Sequence, residues 1–364
     1  MKLLLLTRYG RLGSASRVRF YQYLPYLQTY GIEVTVCPLL ADEYVQKLYA
    51  NRPQSPTFLL KAYVRRVQVL LQSGHFDLIW LEKESLPWLP AWIENSLIRT
   101  PIIADYDDAV FHCYDQHANP LVRRFLGRKI DAVMRRAALV VAGNDYLAAR
   151  ARQAGAKRIE ILPSVVDADR YQPRWGGLRS CIPTPSTPPE ENFTIGWIGA
   201  PVTAPYLQLI QPALAEVCAN GGASLIQVGG GNVSLAGVPL ENRPWTEATE
   251  VAEIQRFDVG IMPLPDEPFE RGKCGYKLIQ YMACGLPVVA TPIGANQKIV
   301  EHGVNGFYGT TTEEWITALT TLRDNPELRA KMGAAGRKKV ETEYSLQVAA
   351  PKLLALFQKS NEVT

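Results

Sequence analysis

Residues 271–291, RGKCGYKLIQYMACGLPVVAT, constrain the fold of this chain more than any other segment. Gly272 and Gly275 free the backbone of the first part, so that its amides can approach a ligand closely. A helical pattern follows and ends at Gly285, and the apolar run 288–290 is typical of a parallel strand buried on both faces. The segment therefore predicts a loop, a helix and a strand in an α/β sheet.

The same loop is rich in positive charge, from Arg271, Lys273 and Lys277. The start of the predicted helix adds unpaired amides and the positive end of the helix dipole. Together these features predict a site for a phosphate-bearing ligand. An ordinary basic surface loop is the alternative, but it does not explain why glycines and cations cluster together.

The composition is that of a globular protein large enough for two domains, with 364 residues, 47% hydrophobic and 20% charged. A net charge of +4 is too modest to indicate a nucleic-acid partner. The apolar run at residues 3–6 is too short for a signal peptide, so we expect a cytoplasmic protein. Six scattered cysteines without a CxxC pair argue against disulfides and a zinc site.

Strand and helix patterns alternate in two successive sets, which predicts two parallel sheets. A proline-rich stretch at 174–190 separates the sets and indicates a linker. The predicted strands are 2–7, 33–37, 77–81, 101–104, 139–142 and 159–162, then 193–198, 224–228, 259–262 and 286–290. The predicted helices include 16–30, 56–71 and a long helical tail at 312–358.

The sequence YMACGLPVVAT, together with the loop before it, resembles the donor-site segment of family 4 glycosyltransferases, which are among the group 1 glycosyl transferases. That resemblance implies an α/β chain with two facing Rossmann-like domains, the GT-B fold, and ligands bound at the carboxyl ends of the strands. The implied parts are an acceptor-side domain 1–175, a linker 176–192, a nucleotide-sugar domain 193–343 and a helix 344–364 that crosses back to the first domain.

The resemblance also implies a donor site that holds the diphosphate and ribose. Gln280 stands where the family often has a ribose-binding glutamate, and Glu270 is a candidate replacement for an earlier one. The arginine and lysine that the family often places after Gly199 are absent, so Arg271 and Lys273 are expected to supply that charge. The implied donor-binding residues are Gly13, Gly199, Thr203, Glu270, Gly272, Cys274, Gly275, Tyr276, Lys277 and Gln280.

The first loop, RYGRLGSASRVR at 8–19, corresponds in position to the glycine-rich loop of the family that approaches phosphate and acceptor. Arg17 and Arg19 are expected to contact one of these ligands or to lie in solvent on a helix.

Residues 105–108, DYDD, follow a predicted strand and contain an Asp-x-Asp pair. Such a pair binds a metal and diphosphate in a different, single-domain glycosyltransferase fold. Here a separate cationic loop is available, so we expect neither a metal nor a cofactor beyond the donor substrate. Asp107 occupies the position of a family histidine beside the sugar and is a catalytic candidate together with Arg271 and Lys273, although loop capping remains an alternative for one of these acids.

Two basic segments, 58–71 and 121–137, have apolar residues at helical spacing. Helices of this kind bind anionic membrane surfaces, so peripheral contact with the inner face of a membrane is one interpretation. A solvated face on a helix packed against a sheet is the other.

Taken with the resemblance, these features indicate an enzyme of polysaccharide biosynthesis or a related pathway. It would move a sugar from a nucleotide-sugar to a hydroxyl of a polysaccharide or lipid-linked glycan, with retention of configuration. Two alternatives stay open: a nucleotide-sugar epimerase or hydrolase of the same architecture, and a non-catalytic nucleotide-sugar-binding partner.

Overall fold

The computed structural model describes residues 1–50, 52–173, 192–219 and 222–361. The predicted linker, 176–192, lies outside this part of the chain except for its last residue, since 174–191 are not described. The chain divides into two compact units. Unit 1 comprises Met1–Ser164, Pro268–Cys274 and Val348–Thr364, and unit 2 comprises Val165–Glu267 and Gly275–Gln347.

Unit 1 is built on a six-stranded parallel sheet in the order β2-β1-β3-β4-β5-β6. The strands are β1 (Lys2–Leu6), β2 (Glu33–Val36), β3 (Leu78–Glu82), β4 (Ile102–Tyr106), β5 (Leu139–Ala142) and β6 (Ile159–Ile161). The central strands are buried along their whole length, as expected for a parallel sheet covered by helices on both faces.

The helices of the first 164 residues connect these strands. They are α1 (Ser14–Arg19), α2 (Leu24–Thr29), α3 (Asp42–Tyr49), α4 (Pro56–Leu71), α5 (Ala91–Leu97), α6 (His112–Asp115), α7 (Pro120–Leu126), α8 (Lys129–Arg136) and α9 (Asp145–Ala154), with 3-10 turns at Tyr21–Tyr23 and Ser73–His75.

Unit 2 has a second six-stranded parallel sheet, in the order β12-β11-β10-β7-β8-β9. Its strands are β7 (Phe193–Ile198), β8 (Ala223–Val228), β9 (Leu240–Arg243), β10 (Val259–Met262), β11 (Val288–Ala290) and β12 (Gly306–Tyr308). Strand order reverses direction at β7, and the loops after β7 and β10 flank that point, which is where ligands bind in open α/β sheets.

The remaining helices follow in chain order. A 3-10 helix at Pro201–Ile210 leads into α10 (Gln211–Cys218), and the others are α11 (Glu250–Ile254), α12 (Pro268–Arg271), α13 (Tyr276–Ala283), α14 (Asn296–Ile299), α15 (Thr312–Asp324), α16 (Pro326–Glu343) and α17 (Leu346–Asn361).

The final helix extends into unit 1, as the predicted fold requires. Phe357 of α17 packs its ring edge against Trp80 of β3, with 5.1 Å between ring centroids. Both side chains are fully buried. The predicted fold class, with two parallel sheets and a terminal helix that returns to the first unit, is therefore confirmed.

Three predicted helical segments are interrupted, and one of them is the tail at 312–358, which is divided into α15, α16 and α17. The helix predicted at 16–30 is split into α1, a 3-10 turn and α2, because Pro25 has no amide to donate to the carbonyl four residues earlier. The segment 121–137 forms two helices with a break at Gly127–Arg128, so its apolar residues do not share one face. Ile130, Val133 and Met134 are buried in the core, whereas Leu121 and Phe125 are exposed.

Candidate functional site

The segment Pro268–Cys274, which contains most of the predicted phosphate loop, packs within unit 1. The Asn144 side chain, after β5, donates from Nδ2 to the carbonyl oxygens of Gly272 at 2.9 Å and Lys273 at 3.1 Å. The Sγ of Cys274 donates to the backbone carbonyl of Asp107, after β4, at 3.0 Å. The loop is thus fixed to the carboxyl edge of the unit 1 sheet by the Asn144 side chain after β5 and the Asp107 carbonyl after β4.

Gly272 is required for this close approach. A Cβ at that position would lie 2.5 Å from the Cβ of Ala109 and 2.8 Å from its amide nitrogen. Cys274 is buried, and burial raises the pKa of its thiol to about 12, so it remains a protonated donor at neutral pH. The small residues in the sequence therefore serve packing as well as any approach to a ligand.

The charged residues of the segment lie at different depths. Arg271 is exposed at the end of α12, and Glu270 is buried. Lys273 is half-buried, with Nζ 4.9 Å from the ring centroid of Phe269, a distance typical of a cation–π contact. The segment therefore offers two cations on a backbone that Asn144 holds in place.

Asp107 lies beside this segment and is ion-paired to a residue that the sequence did not indicate. The Nζ of Lys83, which follows β3, is 2.9 Å from Oδ1 of Asp107 and 3.0 Å from Oδ2 of Asp108. Burial by itself raises the pKa of Asp107, but the charge and hydrogen bond of Lys83, with the charge of Arg19, lower that pKa below its ordinary value. Asp107 is therefore an ionised carboxylate at neutral pH.

Arg19 is buried, so the expectation that it lies in solvent on a helix is wrong. Its Nε and Nη2 donate to Oδ1 of Asp105 at 2.9 and 2.7 Å, and its Nη1 donates to the carbonyl of Leu162 at 2.8 Å. Burial raises the pKa of Asp105 to about 6, and Arg19 limits that rise. Gly13 precedes α1 and packs tightly, since a Cβ there would lie 2.5 Å from the Cβ of Tyr9.

The loop after β7 in unit 2 brings together two of the predicted donor-site residues. A Cβ at Gly199 would lie 2.7 Å from Cε of Lys277, and the Nζ of Lys277 is 5.2 Å from the ring centroid of Trp197. The hydroxyl of Thr203 donates to the carbonyl of Ala200 at 3.0 Å, which closes the turn. Gly199 and Lys277 thus form one corner of unit 2, and Thr203 shapes the loop.

Gly275 starts α13 in a left-handed conformation, with φ of 64°. A Cβ there would lie 2.3 Å from Cδ1 of Ile299. Both the backbone angle and the space therefore require glycine at this position. It turns the chain from the segment 268–274 into α13, the helix that begins with Tyr276.

Gln280 lies in a buried hydrogen-bond network in unit 2. Its Nε2 donates to the hydroxyl of Tyr171 at 3.0 Å, and that hydroxyl donates to Oε1 of Glu250 at 2.6 Å. Trp245 donates from Nε1 to the other oxygen of Glu250 at 2.9 Å. The amide predicted to bind ribose is therefore held by Tyr171, whose pKa is raised, first by burial and then by Tyr276 and Glu250.

Lys83, Asn144, Tyr171 and Glu250 are the residues of these clusters that sequence reasoning missed. Lys83 and Asn144 directly follow the ends of predicted strands, a position that favours site residues in parallel sheets. That rule was applied to Asp107 and not to them. Tyr171 and Glu250 had no comparable signal, because each contacts residues far along the chain.

Within the described ranges, no three His, Cys, Asp or Glu side chains lie close enough together to hold a metal ion.

Solved structures share the fold over nearly the whole chain. HepE (Alr3699) from Anabaena, determined with UDP, matches with a TM-score of 0.69 at 18% identity, covering 99% of this chain and 100% of that one. Sucrose-phosphate synthase from Thermosynechococcus elongatus matches with a TM-score of 0.72 at 15% identity and covers both chains completely. The fold is thus the GT-B fold of two Rossmann-like units.

Curated proteins also match the sequence. Sulfoquinovosyl transferase SQD2 of Arabidopsis thaliana is 24% identical over 93% of this chain and 69% of its own length. A GDP-mannose-dependent monoacylated alpha-(1-6)-phosphatidylinositol monomannoside mannosyltransferase of Corynebacterium glutamicum is 26% identical over 55% of this chain and 56% of its own length.

One family model matches part of the second unit. Residues 192–325 match the model of the family described as Glycosyl transferases group 1. The resemblance seen in the sequence is therefore confirmed over these residues.

Proposed function

We propose that the protein is a retaining glycosyltransferase that moves a sugar from a nucleotide-sugar to a hydroxyl of a polysaccharide or lipid-linked glycan. The observation that carries this proposal is the fixed position of the segment Pro268–Cys274, held by Asn144 at the edge where Asp107 also lies. Cations and a carboxylate are thereby placed on one sheet edge, where a leaving phosphate and a sugar would each find a partner.

The cations suit the departure of a nucleoside diphosphate. Breaking the bond between sugar and phosphate leaves negative charge on the diphosphate, which Arg271 and Lys273 would stabilise. In unit 2, Lys277 beside Gly199 offers a further ammonium group and a glycine backbone. Fixed positive groups are already oriented before the charge develops, which lowers the barrier.

The aspartate cluster supports a mechanism without a metal. Asp105 is neutralised by Arg19, and Asp107 and Asp108 share the ammonium of Lys83. A divalent ion that used Asp107 and Asp108 would have to displace a buried lysine from both carboxylates. We therefore assign charge neutralisation of the diphosphate in unit 1 to Arg271 and Lys273.

The names of related proteins favour a nucleotide-sugar donor. The HepE structures were determined with UDP and with UDP-glucose, and the Corynebacterium relative is GDP-mannose-dependent. That relative also has a phosphatidylinositol-linked substrate in its name. UDP- and GDP-sugars are therefore the first donors to test, and lipid-linked glycans the first acceptors.

The test is a screen of UDP- and GDP-sugars for nucleoside diphosphate release, with and without lipid-linked glycan acceptors and with and without EDTA. We expect acceptor-dependent release that EDTA does not inhibit, and a product with the donor's anomeric configuration by NMR. Release that requires Mn²⁺, or a product of inverted configuration, would show that the proposed mechanism is wrong.

A nucleotide-sugar epimerase is the second candidate. A putative UDP-N-acetylglucosamine 2-epimerase from Listeria monocytogenes shares the fold with a TM-score of 0.60 at 13% identity, covering 100% of this chain. Such an enzyme would consume the donor without an acceptor and yield a free or epimerised sugar. Analysis of products formed without acceptor separates it from the transferase.

Peripheral membrane contact through the two basic segments is part of the proposal. On α7, the side chains of Leu121 and Phe125 are 60% and 70% exposed, beside the exposed Arg124. Exposed apolar groups next to arginine favour an anionic bilayer surface. No helix in the described part of the chain combines the length and hydrophobicity needed to cross a bilayer.

Vesicle sedimentation tests this contact, with phosphatidylcholine alone or with about 30% phosphatidylglycerol. We expect binding only to the anionic vesicles, and its loss in a Leu121→Ser/Phe125→Ser variant. The matched control is Val202→Ser/Leu209→Ser, which removes exposed apolar side chains from unit 2. Equal binding by both variants would exclude α7 as the contact.

A further inference from the structure

We infer that Lys83 is a positioning residue for glycosyl transfer: it holds Asp107 and Asp108 as a fixed pair of anions at the carboxyl edge of the unit 1 sheet, where Asp107 receives a hydroxyl group of the sugar. This inference rests on the proposed function and adds to it a residue that neither the sequence motifs nor the comparisons indicate.

The backbone at Lys83 is strained. Its φ is 61°, one of two positive values among the described non-glycine residues, and the amide of Glu84 donates to the carbonyl of Glu82 at 2.7 Å. That bond across a single residue of positive φ forms a γ-turn, which is rare and unfavourable for residues with a Cβ. Glycine would relieve the strain, so a lysine here indicates that its side chain is needed.

The turn directs the Lys83 side chain from the end of β3 towards the end of β4. Residues Glu82 and Asp105 are register partners on these neighbouring strands, and the amide of Lys83 still donates to the carbonyl of Asp105 at 3.0 Å. Beyond this last bond the ammonium crosses to the β4 loop, at 2.9 Å from Asp107 and 3.0 Å from Asp108. The strain thus produces a bridge between two strand ends.

The net charge of Lys83, Asp107 and Asp108 determines which ligand groups can bind beside them. One ammonium and two carboxylates leave a net charge of −1, which disfavours a phosphate and favours a hydroxyl donor. The Asp107 side chain is 16% exposed, whereas the Lys83 side chain is 8% exposed. The carboxylate therefore retains an accessible part, and the cation lies behind it.

Other charged and titratable groups surround this cluster. They come from β3, β4, α1 and the segment Pro268–Cys274, and they are Glu82, Asp105, Arg19 and Cys274. Arg19 is committed to Asp105, and the Cys274 thiol stays protonated because burial raises its pKa to about 12. Burial also raises the pKa of Glu82. Lys83 is thus the cation that directly contacts Asp107.

The experiment compares Lys83→Met, Lys83→Arg and Lys129→Met in the full-length protein. Lys129 is an equally buried lysine of unit 1 that pairs with Glu84 at 2.7 Å, away from Asp107, and so controls for the loss of a buried cation. The measurements are kcat/KM for transfer against pH, the Kd of UDP or GDP, and the Asp107 carboxyl titration by NMR.

In Lys83→Met we expect the acidic limb of kcat/KM and the Asp107 titration to move up by about one pH unit or more. Burial raises the pKa of Asp107, and the variant lacks the ammonium group that lowers it. Transfer should fall at least about tenfold at neutral pH, with the nucleotide Kd within about threefold of wild type. Lys83→Arg should restore the acidic limb. Lys129→Met should lower stability without moving that limb.

The inference is overturned if Lys83→Met keeps the wild-type acidic limb, or if it weakens nucleotide binding as much as it slows transfer. If Lys83→Met does not fold, the NMR titrations of wild type and Lys83→Arg still test the inference. An Asp107 pKa at or above its ordinary value in these proteins would also overturn it. If the wild-type protein transfers no sugar, the proposed function fails, while the NMR titration still decides whether Lys83 controls Asp107.

Discussion

The carboxyl edges of the two sheets carry different kinds of residues. In unit 1 the edge carries buried charged groups that are paired with each other, as in Arg19 with Asp105 and Lys83 with Asp107. In unit 2 the loops after β7 and β8 are mainly backbone, with Gly199 and the run 229–231. Two sheets of similar topology thus offer very different surfaces to a ligand.

The difference follows from what each surface can recognise. Glycine backbone allows amides to approach an anion closely and binds it without regard to a particular side chain. Paired side chains fix the position of single atoms, which suits the hydroxyls and the reacting carbon of a sugar. Under the proposed function, phosphate binding therefore falls to glycines and cations, and sugar positioning to the charge pairs.

The largest expected effect is on phosphate binding. In Arg271→Ala/Lys273→Ala, two charge-assisted contacts are lost, each of about 1.5–3 kcal/mol, so the Kd of UDP or GDP should rise by about 100-fold or more. Isothermal titration calorimetry measures this. The control Lys352→Ala/Lys359→Ala removes two lysines of α17 and should bind normally. Unchanged affinity in the first variant would mean that the phosphate site is misplaced.

A smaller effect is expected where Asn144 holds the segment. Asn144 accepts from the Leu147 amide and so caps α9, while its Nδ2 donates to the carbonyls of Gly272 and Lys273. Asn144→Ser keeps a cap but loses the donors, and should lower kcat/KM about tenfold with a stability loss near 1 kcal/mol. Asn325→Ser, at the cap of α16, should leave kcat/KM unchanged. Equal kcat/KM in the two variants would show that the hydrogen bonds from Asn144 to the segment do not contribute to catalysis.

The glycine edge of unit 2 can be tested in the same way. In Gly199→Ala the new Cβ would meet Cη2 of Trp197 at 2.6 Å and Cε of Lys277 at 2.7 Å, so both side chains must move, and nucleotide affinity should fall about tenfold. Gly303→Ala, before β12, meets no atom within 4 Å but has a φ of 79°. It should cost about 1 kcal/mol of stability and leave affinity intact. If both variants bind alike, the Gly199 corner is outside the site.

The smallest effect concerns the pH dependence of stability in unit 1. The pKa of Asp105 is about 6 in the folded protein, above its ordinary value, so the folded state binds more protons than the unfolded state between about pH 4 and 6. Its contribution to the free energy of unfolding should therefore decrease as pH rises through this window, by up to about 1 kcal/mol per pH unit.

Urea unfolding of wild type and Asp105→Asn checks this expectation. The difference in unfolding free energy between them isolates the carboxyl, and it should change in favour of the variant as pH rises from 4 to 6. A difference that moves the other way would show that Arg19 holds the carboxyl pKa below its ordinary value.

Much of the fold could be predicted because the apolar run that marks a buried strand is visible within a few consecutive residues. Strands 139–142, 193–198 and 259–262 and the helix 56–71 were predicted with their observed bounds. Strands β9 and β12 were missed, since β9 is largely exposed and β12 has only three residues, so neither has a clear apolar run. The loop, helix and strand at 271–291 were predicted correctly in order and type.

The site was harder to predict because its contacts join distant parts of the chain. Asp107 was recognised from its place after a strand, but Lys83, its partner, is a lone lysine with no motif around it. Asn144 resembles any helix cap until the structure shows which carbonyls its Nδ2 meets. Pairing across a sheet edge depends on strand order, which periodicity alone does not determine.

Unit 1 is assembled from three separate stretches of the chain, the last of which supplies Phe357 to the ring of Trp80. During synthesis the first stretch emerges from the ribosome long before its closing helix exists. Its apolar surface is then exposed, in contact with chaperones or in a loosely ordered intermediate, until α17 has been synthesised. A truncation that removes α17 is therefore expected to expose the Trp80 side chain of β3 to solvent and to cause aggregation, even if unit 2 stays folded.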